Sequence, residues 1–166
     1  MRLLLLILFF LPTGMFAQKK LPLACTELKG KLQQIKKSYP LFEKWKKQKT
    51  GKDYEEKWTT DFSLCGLKGI VEKEGDDEIS LLFDFRDYDD NEKDCEAFIK
   101  KLSAAITAVF DHLVPEEDES KGDDMTPDTH FYYWRDYRVF ADHNEEVEIA
   151  YPGIYSALEL RFRLSK

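Results

Sequence analysis

Two kinds of hydrophobic spacing alternate along the chain, and this alternation limits the folds open to it. Apolar residues recur every three or four positions from Cys25 to Ile35 and again from Phe98 to Leu113, as in amphipathic helices. After each of these segments the period changes to two, which is typical of strands. The order is α-β-β-(β)-α-β-β-β, with short turns between the strands. It predicts an α+β two-layer sandwich in which two helices pack on an antiparallel sheet of about five to six strands.

The second helix has the clearest signal of all the elements. It is expected to begin after Asp89, Asp90 and Asn91, which suit a helix N-terminus, and to run to about Val114, where Pro115 stops it. The alternating segments predict six strands over 58–64, 67–72, 79–85, 130–142, 147–151 and 154–164. In the last of these, Leu160 and Phe162 are expected on one face and Arg161 on the other.

An acidic segment separates the second helix from the C-terminal strands. Residues 115–129 contain seven acidic side chains, one lysine, two prolines and one glycine, which predicts a solvated, mobile loop. No segment is long enough to separate two domains. Residues 18–166 are therefore expected to form a single domain.

The first 17 residues have the pattern of a secretory signal peptide. Arg2 provides the positive charge, residues 3–11 are an unbroken apolar run, and Ala17 is a small residue at the cleavage position. The run is too short to span a bilayer, and no transmembrane segment is expected later in the chain. Cleavage after Ala17, or after Gln18 at the latest, would give an exported protein in the periplasm or the medium. The absence of any Asn-x-Ser/Thr acceptor fits a bacterial source.

Lipid anchoring through Cys25 is the alternative for the N-terminus. Pro22-Leu23-Ala24-Cys25 partly matches a bacterial lipobox, in which the cysteine becomes the lipidated terminus. Proline stands where that motif has leucine, and Lys19 and Lys20 separate the apolar run from the cysteine. We therefore expect the unlipidated form.

Three cysteines remain after the signal peptide: Cys25, Cys65 and Cys95. In an oxidising compartment one disulfide and one remaining thiol are expected. Cys25 lies on the apolar side of the first helix, so a bridge from it would tie that helix to the rest of the domain. The sequence leaves Cys65 and Cys95 both open as its partner.

Charge is distributed unevenly along the chain. Residues 19–52 contain eleven lysines and two glutamates, whereas residues 53–166 contain thirteen basic and thirty acidic side chains. Such asymmetry can mark a nucleic-acid-binding arm. The basic segment, however, has an apolar stripe, which is expected to pack against the rest of the protein, whereas a freely solvated nucleic-acid-binding arm would not need such a stripe. We expect a basic helix that lies on an acidic body, and no nucleic-acid partner.

Patterns that carry common chemistries are absent from the sequence. No Gly-x-Ser-x-Gly, His-x-x-x-His, Cys-x-x-Cys or glycine-rich phosphate loop occurs. The sequence therefore predicts a protein that is not an enzyme and that has neither a metal site nor a cofactor.

The C-terminal strands carry a candidate binding surface. In the strand from His130, the odd positions such as Phe131 and Tyr133 are expected to be buried and the even positions to face outward. Trp, Tyr and Arg dominate the energetics of protein interfaces. The predicted binding residues are Tyr132, Trp134, Arg138, Tyr155, Arg161 and Arg163. The alternative is that a helix or a terminus covers this face, or that its aromatics only stabilise cross-strand pairs.

The function predicted from these features is that of a small exported binding or inhibitor-like protein that acts through a surface and binds another protein. The alternative is a carrier that holds a small apolar ligand between the sheet and the long helix. The identity of the partner or ligand stays unknown at this point.

Overall fold

Two helices pack on one face of an antiparallel sheet. The computed structural model describes residues 19–38, 42–52, 56–74, 78–85, 88–89, 92–120, 129–136, 144–152 and 158–165. The elements in chain order are β1 (Lys19–Lys20), α1 (Leu28–Ser38), a 3₁₀ helix (Phe42–Trp45), β2 (Glu56–Leu64), β3 (Leu67–Glu74), β4 (Glu78–Asp84), β5 (Tyr88–Asp89), α2 (Glu92–Val109), β6 (Val114–Ser120), β7 (Thr129–Arg135), β8 (Asn144–Pro152) and β9 (Glu159–Ser165).

The strand order in the main sheet is β2-β3-β4-β9-β8-β7-β6, and every neighbouring pair is antiparallel. The last strand, β9, lies in the centre and joins the β2–β4 half to the β6–β8 half. β1 and β5 pair separately as a two-residue parallel ladder. The predicted α+β class and antiparallel sheet are confirmed, and the sheet has seven strands among the described residues instead of five to six.

The seventh strand is β6, in a segment for which the sequence predicts a loop. Ser120 pairs with Thr129 and Val114 with Arg135, so residues 115–120 form a strand and not part of a loop. All seven β6 residues are exposed, because the strand lies at the edge of the sheet. Charged side chains are tolerated on edge strands, where they also oppose aggregation. A hydrophobic period therefore could not reveal β6. Residues 121–128 of the predicted loop lie outside the described residues.

The two faces of the sheet differ sharply. The cross-strand row of Trp134, Val147, Phe162, Leu81 and Val71 is buried beneath the helices. The next row, which contains Arg135, Glu146, Arg163, Ser80 and Glu72, lies on the opposite face. The alternation predicted for the last strand is confirmed from Leu158 to Arg163, because Leu158, Leu160 and Phe162 are buried in the core, and residues 154–157 of the predicted strand lie outside the described residues.

The helices contribute apolar stripes to this core. In α1 the buried residues are Leu28, Leu32 and Ile35. In α2 they include Phe98, Leu102 and Ile106. The second helix ends at Val109, short of the predicted end, because the chain turns there to enter β6. In the described part of the chain, neither helix is long and apolar enough to cross a membrane.

The basic helix α1 is held beside α2 through a lysine. Lys36 Nζ donates to the Val109 carbonyl oxygen at 2.6 Å and lies 2.9 Å from an Asp111 carboxylate oxygen. The contact places a cation at the C-terminal end of α2, where the helix dipole favours it. At the edge strand β2, Lys47 pairs with Asp61 at 3.1 Å.

One disulfide fastens the segment before α1 to the sheet. Cys25 is bonded to Cys65, with their α-carbons 5.5 Å apart. Cys65 and Gly66 form the two-residue turn between β2 and β3, and both have positive φ (52° and 83°). Positive φ at both central residues is the property of type I′ hairpin turns. The predicted bridge from Cys25 is thus confirmed, with Cys65 as its partner, and Cys95 remains outside the bridge as a buried thiol.

Candidate functional site

The two helices do not cover the whole width of the sheet. Seven strands about 4.8 Å apart span about 29 Å, whereas two helices about 10 Å wide cover only about 20 Å. Helix α1 lies on the β2 side of α2 and packs against β2. The margin left over lies on the other side of α2, above β7 and β6.

A groove of about 450 Å³ occupies this margin. Its floor is formed by the side chains of Tyr132, Trp134 and Tyr151, and Pro115 borders it on the β6 side. On the opposite side, α2 contributes one longitudinal row, which consists of Glu96, Ile99, Lys100, Ser103 and Thr107. The groove therefore has an aromatic floor, small polar residues along its helix wall and charged residues at its rim.

Trp134 fixes the depth of the groove. Only 3% of its surface is exposed, and its indole Nε1 donates a hydrogen bond to Thr107 Oγ1 at 2.9 Å. This bond links β7 to the last turns of α2 and satisfies the only polar atom of the tryptophan side chain. Trp134 thus supports the floor of the groove as a buried structural residue. The half-buried Tyr132 is the aromatic side chain that a bound molecule can contact.

The rim of the groove is acidic. Glu96 on α2 and Glu117 on β6 both line it, and both are exposed. Neither carboxylate forms an ion pair or hydrogen bond with another described residue. A third rim carboxylate, Glu116, lies 3.4 Å from Arg135.

The electrostatics of Tyr132 reflect this surrounding. Burial raises the pKa of its hydroxyl, and the negative charges of Glu117 and Glu96 raise that pKa further. The two carboxylates therefore act on the same phenol from opposite walls of the groove. At neutral pH the phenol is protonated and is a hydrogen-bond donor.

A second hollow of similar size, about 460 Å³, lies at the other end of the molecule. It contains Trp45 and Phe62, whose rings stack on one another with centroids 4.7 Å apart. Lys31 lies over the Phe62 ring at 5.2 Å, so this aromatic pair already has a cation from its own chain. In the groove beside α2, by contrast, no described cation lies over the Tyr132 ring.

The structure separates the residues predicted to form one binding surface. Tyr132 and Trp134 lie on the helix side of the sheet and line the groove. Arg161 and Arg163 lie on the outer face, so the four described residues do not share a surface. Arg138 and Tyr155 lie outside the described residues.

Arg161 and Arg163 belong to a network of ion pairs on the outer face. Arg161 Nη2 lies 3.3 Å from Glu72 Oε2, and Arg163 Nε lies 2.7 Å from Glu78 Oε1. Arg163 also pairs with Glu146. In the same network, burial raises the pKa of Glu148, although the Arg163 charge opposes this rise. The arginines thus neutralise carboxylates of the same sheet.

The prediction for β7 assigned its two faces the wrong way round. Four consecutive aromatic residues, Phe131 to Trp134, give no period of two, so the sequence could not show which pair faces the core. On the outer face the Phe131 and Tyr133 rings are stacked with centroids 5.7 Å apart, and Arg135 lies over Tyr133 at 3.7 Å. This aromatic–arginine group is therefore built from the odd positions.

The α2 and β6 sides of the groove carry no residue that was predicted as a binding residue from the sequence. The available signal was the row of small polar residues Ser103 and Thr107 next to the apolar stripe of α2. On a helix whose whole apolar face is packed against other elements, bulky apolar residues usually extend to the edge of that face. The row of Ser103 and Thr107 therefore indicates a side of α2 that is not packed against another element. Glu117 had no signal because β6 itself had none.

Neither metal ligands nor known relatives add to this geometry. In the described ranges, no group of three or more His, Cys, Asp or Glu side chains is arranged to hold a metal ion. No protein-family model matches the chain, and no curated protein or solved structure shows significant similarity to it. The site is therefore assigned from its own residues.

Proposed function

We propose that this protein is a small exported, non-enzymatic binding or inhibitor-like protein that holds part of another protein in the groove beside α2. The observation that carries the proposal is the margin above β7 that the two helices leave uncovered, where Tyr132 is half-buried and where the exposed carboxylates of Glu96 and Glu117 form no ion pair with a described residue. Aromatic residues in partly buried hollows are typical anchors of protein interfaces.

The shape of the groove favours a chain segment as its occupant. It runs along the outer side of α2, with Thr107 near Pro115 at one end and Glu96 near Glu117 at the other. An elongated site with polar walls suits an extended segment, because backbone and side-chain groups of the segment can bond along its length.

The disulfide supports export as part of the proposal. Structural disulfides persist in oxidising compartments and are rare in the reducing cytosol. The bridge also uses the Cys25 sulfur, which a lipid thioether would require. It therefore favours the unlipidated form of an exported protein.

The test is affinity capture from the native source with three tagged forms of the full chain: wild type, Ser103→Tyr and Ala104→Tyr. Ser103 lines the groove, whereas the adjacent Ala104 is exposed on α2 and does not line it. Both variants add the same side chain to the same helix, and thermal unfolding verifies that each remains folded. We expect a partner that wild type and Ala104→Tyr capture equally and that Ser103→Tyr loses at least tenfold. Equal recovery by all three forms would exclude the groove.

A carrier of a small apolar ligand is the second candidate. The groove lies between the sheet and the long helix, and its volume falls in the range of about 300–1,000 Å³ that is usual for ligand pockets. The charged rim argues against a purely apolar cargo. Native mass spectrometry of the protein purified from its source distinguishes the two functions, because a carrier retains a stoichiometric small molecule.

A further inference from the structure

The groove combines an aromatic ring with carboxylates on two sides, as in a cation site, and no cation of a described residue lies over that ring. We propose that the bound segment is basic, and that it places a Lys or Arg side chain over the Tyr132 ring between the carboxylates of Glu96 and Glu117. This inference rests on the proposed function and specifies the chemistry of the partner.

The outer face of the same strand shows what such a site looks like when it is filled. There Arg135 lies 3.7 Å above the Tyr133 ring and pairs with Glu146 and Glu116 on the two neighbouring strands. One strand position away, on the helix side, Tyr132 has carboxylates on both flanks and no cation over its ring within the described residues. Among the described residues, the chain thus supplies the cation on one face and none at the equivalent place on the other.

The titratable groups that line this place come from four elements. Helix α2 contributes Glu96 and Lys100, β6 contributes Glu116 and Glu117, and β7 and β8 contribute the phenols of Tyr132 and Tyr151. Glu116 lies opposite Tyr133 in the β6–β7 ladder and pairs with Arg135 on the outer face, so its charge is already offset there. Lys100 forms no ion pair with any described residue. Among the described lining residues, the carboxylates of Glu96 and Glu117 therefore remain against the single ammonium group of Lys100, and this local balance favours an additional positive charge.

The walls and floor also fit the rest of a basic side chain. Lys and Arg have apolar stems that pack on hydrophobic surface while their charged ends reach polar groups. Ile99, Pro115 and Trp134 line the groove next to Tyr132 and provide that surface. A guanidinium group suits the site especially, because it stacks on aromatic rings and donates to two carboxylates at once. The apolar neighbours give an advantage to a segment over an isolated cation.

The test is a titration of the isotope-labelled full chain, followed by NMR, with blocked pentapeptides. The peptides are identical except at the central residue, which is arginine, citrulline or glutamate. Citrulline has nearly the shape of arginine but no charge. We expect the arginine peptide to shift the amides of residues 103, 117 and 132 saturably, with a dissociation constant at least fivefold lower than that of the citrulline peptide. The glutamate peptide is expected to give no saturable shift.

Charge-removing variants assign the effect to the two carboxylates. Glu117→Gln and Glu96→Gln should each weaken binding of the arginine peptide about threefold, in line with the modest worth of one exposed ion pair. Glu56→Gln, an exposed change on the distant edge strand β2, should leave it unchanged. Free argininamide should bind at least tenfold more weakly than the peptide.

Four results would overturn the inference. They are equal binding of the arginine and citrulline peptides, absence of saturable shifts with arginine, shifts confined to the outer face, and argininamide binding as strong as peptide binding. The capture experiment with Ser103→Tyr is independent of all of them. If capture depends on Ser103 while the arginine peptide shows no preference, the proposed function stands and the basic partner is wrong. If the peptide preference holds and capture ignores Ser103, the proposed function fails.

Discussion

The indole Nε1 of Trp134 donates to the hydroxyl oxygen of Thr107 at 2.9 Å, and this bond joins the long helix to strand β7. The bond lies at one end of the groove and sets how closely α2 approaches the sheet there. It also explains why a tryptophan stands at a position where the sequence indicated an outward-facing binding residue. The geometry of the groove depends on this pair.

The first prediction concerns the strength of that bond. Trp134→Phe removes the donor, Thr107→Val removes the acceptor, and the double variant removes both. We expect each single change to destabilise the fold by about 1–3 kcal/mol, since a buried polar group loses its partner or apolar contacts are lost. In a double-mutant cycle from urea unfolding, the two changes should couple by about 1 kcal/mol. If the destabilisation of the double variant equalled the sum of the two single destabilisations, the bond would contribute nothing to the stability of the fold.

The second prediction concerns Gly69, which lies on the helix side of β3. A β-carbon at this position would come within 2.8 Å of Leu81 Cδ1 and 3.2 Å of the Phe83 ring, both in the core. Gly69→Ala is therefore expected to cost about 1–3 kcal/mol of unfolding free energy through overpacking. The matched control is Gly30→Ala in α1, where a β-carbon meets nothing within 4 Å. Because alanine has a higher helix propensity than glycine, Gly30→Ala should raise the free energy of unfolding by about 0.5–1 kcal/mol. Destabilisation of similar size by both would argue against the close approach at Gly69.

The third prediction concerns the cysteines. Denatured, unreduced protein should expose one reactive thiol per chain, that of Cys95, whereas three would refute the bridge. The double change Cys25→Ser with Cys65→Ser opens a loop of 40 residues. In the chain-entropy account this lowers the unfolding free energy by about 4 kcal/mol. Cys95→Ala is the control for the loss of a sulfur atom without a bridge.

The fourth prediction is a pH dependence at Glu148. Burial raises the pKa of this carboxyl in the folded protein above its ordinary value of 4.5. The folded state therefore holds the proton more tightly than the unfolded state, and stability falls as the pH rises from 4.5 through the folded pKa. Glu148→Gln, which stays neutral, should be more stable than wild type at pH 7.

The stability difference between Glu148→Gln and wild type should disappear at acid pH, where the carboxyl is protonated in both states. Urea unfolding at several pH values measures it, with the exposed Glu56→Gln as the control for loss of one charge. A glutamine variant that is less stable than wild type at pH 7 would show that pairing with the arginines outweighs burial.

The core of this fold could be predicted from the sequence because the buried face of a helix or strand has apolar residues at a regular spacing. The stripes of α1 and α2 and the alternation of β9 each correspond to residues that the structure buries, such as Leu32, Ile106 and Phe162. Strand β6 could not be predicted in this way, because it is held by backbone hydrogen bonds along one edge and buries none of its side chains. Backbone pairing is largely independent of side-chain type, so such a strand leaves no hydrophobic pattern.

The candidate site was predictable only in part for a related reason. Tyr132 and Trp134 were identified by residue type, yet their face was assigned wrongly because aromatic residues occupy both sides of β7. The arginines of β9 were placed correctly on the outer face, but the sequence could not show their pairing with Glu72, Glu78 and Glu146. The groove itself exists because the seven-stranded sheet is wider than the two helices together. A local sequence pattern does not reveal this difference in width, because it depends on the whole fold.

The central claim, that the groove beside α2 is where a partner protein binds, is tested most directly by a photo-crosslinking amino acid introduced at position 103 of the chain in its native host. The same group at position 104 is the control. The account predicts a crosslinked adduct to a partner protein from position 103, at a yield at least tenfold above that from position 104. Equal yields from the two positions, or no adduct from position 103 while the chain is folded and exported, would contradict it.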